Sequence, residues 1–364
     1  MRIPRPSPSW LIIFAAIALA LRFWPGLAND TWLFVCSGLA IIPLAGWMGR
    51  ATESLASRLG HGVGGLLNAT FGNAAELIIA LMALSKGFYE VVKASLTGSI
   101  IGNLLLVFGC SAFFGGLKFP SLKFNQTAAR TTITSLTLAA VALIIPSVFH
   151  HTAGNRSGGW NRLVEQRMSF AIAAVLFISY MCVLVFELVT HRQLYAGGSI
   201  DEEKNETSEW SLRRGVVVLL GSTLGVVVMS EFLVGALEGA RTALGLTETF
   251  IGVIVVAVIG NAAEHSTAIW MARKGKMQLS LAIAAGSSLQ IALFVAPILV
   301  FVSPLLGHPL DLHFTAPETI AVIITVYLVF QISGDGETNW IEGVQLLAVY
   351  LILAILFFYL PRAH

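Results

Sequence analysis

The chain has 364 residues, 56% of them hydrophobic and only 12% charged, with a net charge of +2. A soluble domain carries roughly 25% charged residues, so a water-exposed fold of this size is excluded, and the near-neutral balance leaves no nucleic-acid footprint. With a mean hydropathy of +0.81, the chain reads as one integral membrane unit. Cys36, Cys110 and Cys182 lie singly inside apolar runs, which argues against a disulfide framework or a structural zinc site.

A bilayer is crossed by about 20 apolar residues in a helix. Stretches of that length fall at 10–24, 32–49, 63–86, 94–117, 130–149, 167–190, 215–240, 249–273, 278–303, 314–333 and 340–360. These are eleven predicted transmembrane helices; they are twice as long as a barrel strand and lack its alternation. The first, with basic residues before an Ala-rich core ending at Ala18-Leu19-Ala20, resembles a signal peptide but is read as a span. With the N-terminus cytoplasmic, 14 of the 22 Lys and Arg fall on the inner side, among them Arg50, Arg58, Lys118, Arg130, Arg214 and Arg273, which sets the orientation. The one long polar connection, 191–214, then faces the cytoplasm and holds Asp201 to Trp210. It reads as a solvated linker, with a cation-sensing surface as the alternative. The Asn205-Glu206-Thr207 sequon inside it has no meaning on that side.

The chain repeats itself. Residues 71–109 align without gaps to 259–297, with thirteen of 39 positions identical and five of them consecutive: Gly72-Asn-Ala-Ala-Glu76 against Gly260-Asn-Ala-Ala-Glu264. The copies sit in spans three and eight. Five crossings separate them, and an odd number reverses direction, so the copies run antiparallel through the membrane. The predicted architecture is therefore all-α: an extra N-terminal helix (1–30), a first five-helix half (31–190), the linker (191–214) and a second, inverted half (215–364). Inverted repeats place their shared site near the midplane, where helices are often interrupted. Gly62-Val-Gly-Gly65 with Gly72, and Gly252 with Gly260, mark the expected interruptions; close helix packing is the other reading of these glycines.

Glu76 and Glu264 lie within about ten residues of both ends of their spans, and neither has a Lys or Arg within two turns on its own helix. An ionised carboxylate at that depth costs at least about 3 kcal/mol unless it is compensated. Leu or Ala would pack there without that cost, so the two acids point to bound cations or protons. Asn73 and Asn261 stand three residues before them and add amide oxygens on the same face. Ser99 with Asn103, and Ser287 with Gln290, place a hydroxyl and an amide on one face of spans four and nine, as a second shell, a proton path or helix-packing glue. His265 adjoins Glu264 but projects about 100° away around the helix; it is a relay, a pH sensor or a satisfied polar residue. Oxygen donors without thiols suit a hard cation such as calcium, held as transported substrate and not as a cofactor. Two carboxylates are neutral with one divalent ion and equally neutral with two protons. Burial and a like-charged neighbour favour the protonated form of a carboxyl, so protons compete for such a site as one coupled pair.

At these residues the chain resembles the cation/proton exchangers of the CAX type, within the cation/calcium antiporter superfamily. The carrying motifs are GNAAELI at 72–78, GSIIGN at 98–103, GNAAEHSTAI at 260–269 and GSSLQIALFVAP at 286–297. The resemblance extends to Gly49-Arg-Ala-Thr-Glu53, Ser230-Glu231 and Gly334-Asp-Gly-Glu337. It implies an eleven-helix antiporter that removes calcium from the cytosol using the proton gradient. By motif position Glu76 and Glu264 are its central ligands, Asn73 and Asn261 stand beside them, and backbone carbonyls contribute near the helix breaks. The short loops suggest a prokaryotic plasma membrane. Self-association is left open, as is acceptance of manganese or cadmium.

Three other functions compete. Sodium/calcium exchangers share the paired glutamates, but Asn103 and Gln290 are amides where those relatives tend to keep a further acid. A calcium channel also lines its path with paired acids. An intramembrane hydrolase is the enzyme reading, yet Glu264-His265 lacks the second histidine of HExxH, and GxSxG is absent. Glu53, Glu231 and Glu238 are candidate access-path acids, Glu231 deep enough in span seven to be the most suspect. Asp335 and Glu337 read as a solvated turn.

Overall fold

Apolar runs fold as helices here because a backbone in lipid must satisfy its own N–H and C=O groups. The computed structural model describes residues 8–24, 26, 29–59, 61–154, 161–191 and 210–360; the acidic linker, apart from Trp210, and its sequon lie outside them. The helices are α1 (Ile13–Phe23), α2 (Asp30–Leu59), α3 (His61–Phe71), α4 (Ala74–Ser85), α5 (Tyr89–Gly116), α6 (Gln126–Gly154) and α7 (Leu163–Thr190). They continue with α8 (Leu212–Gly235), α9 (Leu237–Leu244), α10 (Glu248–Arg273), α11 (Met277–Leu306), α12 (Ala316–Ile332) and α13 (Trp340–Tyr359). Eight are long and apolar enough to cross a membrane, and Ser9–Phe23, Ala74–Ser85 and Ala316–Ile332 are shorter apolar helices. One departure from an all-α chain is a two-residue antiparallel ladder, β1 (Leu122–Lys123) on β2 (Glu337–Thr338), with Leu122 opposite Thr338.

The predicted spans need three corrections. Span three is two helices: α3 stops where Gly72 N donates to Asn68 O at 2.8 Å, and Asn73 (φ −104°, ψ 29°) turns the chain before α4 begins. Span seven ends at Gly235, and the segment after it forms the separate α9, whose Glu238 pairs with Arg241. The interruptions expected at 62–65 and at Gly260 do not occur, because those residues lie within continuous helix. Around Gly252 the helix widens into a π-helical stretch, Ile251–Val256, without breaking. Similar stretches occur at Gly102–Val107 in α5 and Ile291–Val295 in α11, positions that correspond in the repeat.

Ties between helix ends sort onto two faces. On one, which holds the basic residues read as inner, Arg58 Nε donates to Trp210 O at 3.0 Å, Arg130 to Gly334 O at 3.1 Å, and Ser121 Oγ to Glu337 Oε2 at 2.7 Å. On the other, Lys86 pairs with Glu231 at 2.7 Å, Lys93 with Asp311 at 2.6 Å, and Tyr89 Oη meets His308 Nδ1 at 3.0 Å. Each tie joins ends that alternate crossing would bring to the same side. The half-exposed Glu231, paired with Lys86, therefore sits at a rim and not at depth.

Without an aqueous hydrophobic drive, membrane helices gain contact by close approach at small residues. A Cβ on Gly98 of α5 would overlap the Val253 backbone, and one on Gly252 would lie 2.5 Å from Ala94 Cβ, so α5 and α10 cross almost backbone to backbone. Helices α5 and α13 meet similarly, where a Cβ on Gly343 would fall 2.7 Å from Gly109 O and 2.9 Å from Phe113 Cα. Overpacking such a crossing costs about 1–3 kcal/mol. Gly343→Ala is expected to lower the melting temperature in detergent, whereas Gly221→Ala, with nothing within 4 Å of its Cβ position, leaves it unchanged.

Candidate functional site

The break after α3 puts Glu76 in the first turn of α4, where the free N–H groups and positive end of the helix favour an anion. Glu264 lies mid-way along α10, with no such end beside it. The two repeat copies are thus locally different although their sequences match. Glu76 reaches α10 at Gly260: a Cβ there would lie 3.1 Å from Glu76 Cγ and 3.3 Å from Oε1. Glycine at 260 therefore makes room for the partner acid, a role that its reading as a helix break missed.

Both carboxylates line one cavity of about 500 Å³, together with Gly72, Gly260, Gly286, Ser287 and Gln290. It runs past Asn68, Thr267 and Leu279 to Arg50 and Glu53, and so leads to the face holding the basic ties. Arg50 and Glu53 belong to the Gly49–Glu53 segment of the resemblance, whereas Asn68 had no part in it; Asn68 stands one turn before Gly72 on α3, a helical spacing that offered a signal. Towards the other face Glu76 adjoins a void of about 10 Å³, walled by Ile79, Leu96, Val256 and Ile291, about what one water molecule needs.

No ion pair joins Glu76 or Glu264 to a Lys or Arg among the described residues. Glu264 Oε2 is buried and has no hydrogen-bond partner among them. A third acid in the same protein shows what full compensation looks like. Glu318, 2% exposed, accepts from Thr315 N at 3.0 Å, Thr315 Oγ1 at 2.6 Å and Thr97 Oγ1 at 3.2 Å in a capping box that starts α12. An unsatisfied buried polar atom is costly, and the bare oxygen of Glu264 could accept a cation or a proton.

The neutral residues expected around the acids form one connected network. Asn103 Nδ2 donates to Ser287 Oγ (3.1 Å) and to Asn261 Oδ1 (3.2 Å). Ser287 Oγ donates to Asn73 Oδ1 (2.7 Å), and Asn73 Nδ2 donates to Gln290 Oε1 (2.6 Å). Asn261 Nδ2 donates to Ser99 Oγ at 3.0 Å. His265 Nε2 lies 3.1 Å from Asn103 Oδ1; an amide oxygen only accepts, so Nε2 carries the proton. All seven residues named with the glutamates are therefore brought together, from α3–α4, α5, α10 and α11. The amide oxygens of Asn73 and Asn261 are already engaged by Ser287 and Asn103, so in this arrangement they orient the site more than they line it.

The repeat register pairs Gly98 with Gly286 and Gly252 with Gly64. The Gly98–Gly252 crossing is closed, whereas a Cβ on Gly286 would meet nothing within 4 Å. One of the two crossings that the repeat makes equivalent is packed; in the other Gly286 faces the cavity, while Gly64 packs on the Ala56 backbone of α2.

The sodium/calcium exchanger protein family model matches residues 29–189 and 214–359. A Ca(2+)/H(+) antiporter of Synechocystis is 47% identical over 365 residues, covering 96% of each chain. The Ca(2+)/H(+) antiporter ChaA of Bacillus subtilis is 45% identical, over 96% of this chain and 99% of its own. The chain belongs to the CAX-type calcium/proton exchanger family of the cation/calcium antiporters. Among solved structures, native YfkE superposes with a TM-score of 0.81 at 42% identity, over 96% of this chain and all of that one. The H+/Ca2+ exchanger CAX, at 16% identity and a TM-score of 0.68, shares the fold. For this exchanger-family chain, Asn103 is the node on which the network turns. Asn103→Leu removes three hydrogen bonds and strands buried partners at about 1–3 kcal/mol each. It is expected to lower stability by at least about 2 kcal/mol, read as a reduced melting temperature with and without calcium.

Proposed function

We propose that this chain is a calcium/proton antiporter of a prokaryotic inner membrane that exports cytosolic Ca2+ against incoming H+. Glu76 and Glu264 hold the ion, and Asn73 and Asn261, with Ser99, Asn103, Ser287, Gln290 and His265, orient the carboxylates and carry protons. The chain crosses eleven times with its N-terminus in the cytoplasm. Helix α1 is an addition, residues 31–190 and 215–364 are two inverted halves, and 191–214 is a cytosolic connection. The observation that carries this reading is the buried, unpartnered oxygen of Glu264 in the cavity that it shares with Glu76.

Charge then couples the two ions. One Ca2+ or two protons neutralise the pair, whereas the empty dianion is unfavourable in a low-dielectric core. Only a neutralised site can therefore pass through the occluded state. The unequal glycine crossings support alternating access. With Gly98–Gly252 packed and Gly286 free, the site faces the basic side; Gly64 leaving Ala56 to close onto Gly286, while Gly98 separates from Gly252, would turn it outward. The amides at Asn103 and Gln290 are tied into the network and leave no further carboxylate for several sodium ions, which favours protons over sodium as the counter-ion. Nothing in this scheme makes or breaks a covalent bond; the role is transport and not enzymatic.

Calcium uptake by inverted vesicles should follow the imposed proton gradient and collapse with an uncoupler. Glu76→Gln and Glu264→Gln should each reduce it to background. Uptake retained in both variants would remove the site, and single-channel conductance steps would replace exchange by a channel. Gly286→Ala tests the access scheme separately. It strains nothing in the present arrangement, so the melting temperature should hold, but it obstructs the opposite crossing and should slow exchange at least about tenfold, as a barrier rise of 1.4 kcal/mol does.

A further inference from the structure

On the face away from the cavity mouth, three segments bring a second group of ligand-type side chains together. His150 ends α6, Glu165 opens α7, and His313 lies in the segment leading into α12. One donor atom from each lies within 4.8 Å of the other two. His150 Nδ1 is 2.9 Å from Glu165 Oε1. The imidazoles of His150 and His313 stack at a centroid distance of 4.0 Å and an interplanar angle of 14°, so both rings flank the same carboxylate. Glu165 itself is only 4% exposed.

The segment that carries His313 is held rigidly. Leu312 N donates to Ser169 Oγ of α7 at 3.0 Å. Phe314 N donates to Ser147 Oγ of α6 at 3.2 Å, and Ser147 Oγ donates to Phe314 O at 2.9 Å. His313 N donates to Asp311 Oδ1 at 3.0 Å, and the same oxygen pairs with Lys93 at 2.6 Å. Thus the backbone on either side of His313 is pinned to the two helices that supply His150 and Glu165. These backbone bonds fix where His313 stands relative to the other two donors.

We propose that His150, Glu165 and His313 form a binding site for a divalent transition-metal ion of the zinc, cobalt or nickel type, clasping α6, α7 and the approach to α12. Two imidazole nitrogens and one carboxylate oxygen select such ions and not calcium, which requires six to eight oxygens. Bonds of 2.0–2.1 Å in a tetrahedral site put adjacent donors about 3.3 Å apart. The His150–Glu165 pair is already near that separation; within the 4.8 Å limit on the group, the stacked rings of His150 and His313 must turn so that their nitrogens converge on the ion. A fourth position would go to water, as in other three-ligand sites. The three residues are separate from Glu76 and Glu264, so this ion is a ligand and not cargo.

The test uses the purified full-length protein in detergent with excess Ca2+, which occupies an oxygen site without competing for imidazole. Co2+ is titrated while its visible absorption is followed, then displaced with Zn2+. One Co2+ per chain, displaced by Zn2+, is expected, together with a rise in melting temperature on metal addition. His313→Ala leaves the 2.9 Å His150–Glu165 contact in place and should fold; its metal-free melting temperature, lowered by the lost stacking on His150, is the reference for its own thermal shift. Loss of this direct donor should cost at least the roughly tenfold in Co2+ affinity that loss of a supporting partner costs, and the metal-dependent thermal shift with it, and His150→Gln and Glu165→Gln should lose as much. The absence of Co2+ binding, or binding unchanged in His313→Ala, overturns the proposal. So does a cobalt signal abolished by Glu76→Gln, which would assign that ion to the cavity; the loss of transport in Glu76→Gln is read independently and bears only on the exchange site.

Discussion

A carboxylate taken out of water must be neutralised by something, and this protein compensates its buried acids in several different ways. Glu318 is surrounded by hydroxyl and backbone donors and Glu165 faces His150, while Glu231, half-exposed at a rim, pairs with Lys86. Glu264 keeps an oxygen with no partner among the described residues, and Glu76 has only the end of its own short helix and the space above Gly260. Desolvation makes that unfinished arrangement unfavourable unless a mobile cation completes it. The surrounding construction follows from this single constraint.

The amide–hydroxyl network serves it by immobilising the scaffold without supplying charge. From His265 through Asn103, Ser287 and Asn73 to Gln290, each link ties one helix to another. A Lys or Arg in any of these places would neutralise the acids permanently and leave the proposed site no charge for an ion. Hydrogen bonding among neutral groups holds geometry while keeping the negative charge available. The cavity then determines from which side the charge can be met: it is wide towards Arg50 and Glu53 and closed to about one water's volume beyond Glu76. The tight α5–α10 crossing at Gly98 and Gly252 accounts for the closed side.

Much of this was legible in the chain. Length and hydropathy indicate helices, and eight of the spans are long apolar helices as expected. The thirteen identities between the copies picked out Glu76, Glu264, Asn73, Asn261, Ser99 and Ser287; Asn103, Gln290 and His265, which differ between the copies, were found by their helical spacing from these. The misreadings arose where one sequence motif has two local structures. The matched GNAAE segments predict equal breaks, yet the chain turns at Gly72–Asn73 and stays helical at Gly260. At Gly72 the Asn73 side chain leaves its own helix to bond Gln290 and Ser287, whereas Asn261 caps back to Ala257 O within α10 at 2.9 Å. Glu231 misled for a related reason: its depth was counted from an unbroken span, while α8 in fact ends four residues later, at Gly235.

The sequence by itself determined that the chain lies in a membrane, that it carries a duplicated pair of acids without basic neighbours, and which polar residues accompany them. Those facts are carried by composition and spacing, which are one-dimensional. Only the tertiary structure decided that Glu76 packs on Gly260, that the cavity leads to one face, and that His150, Glu165 and His313 converge. Each of these depends on contacts between helices far apart in the chain. Near-identical segments settle into unlike shapes there, because their packing partners differ on the two sides of the membrane.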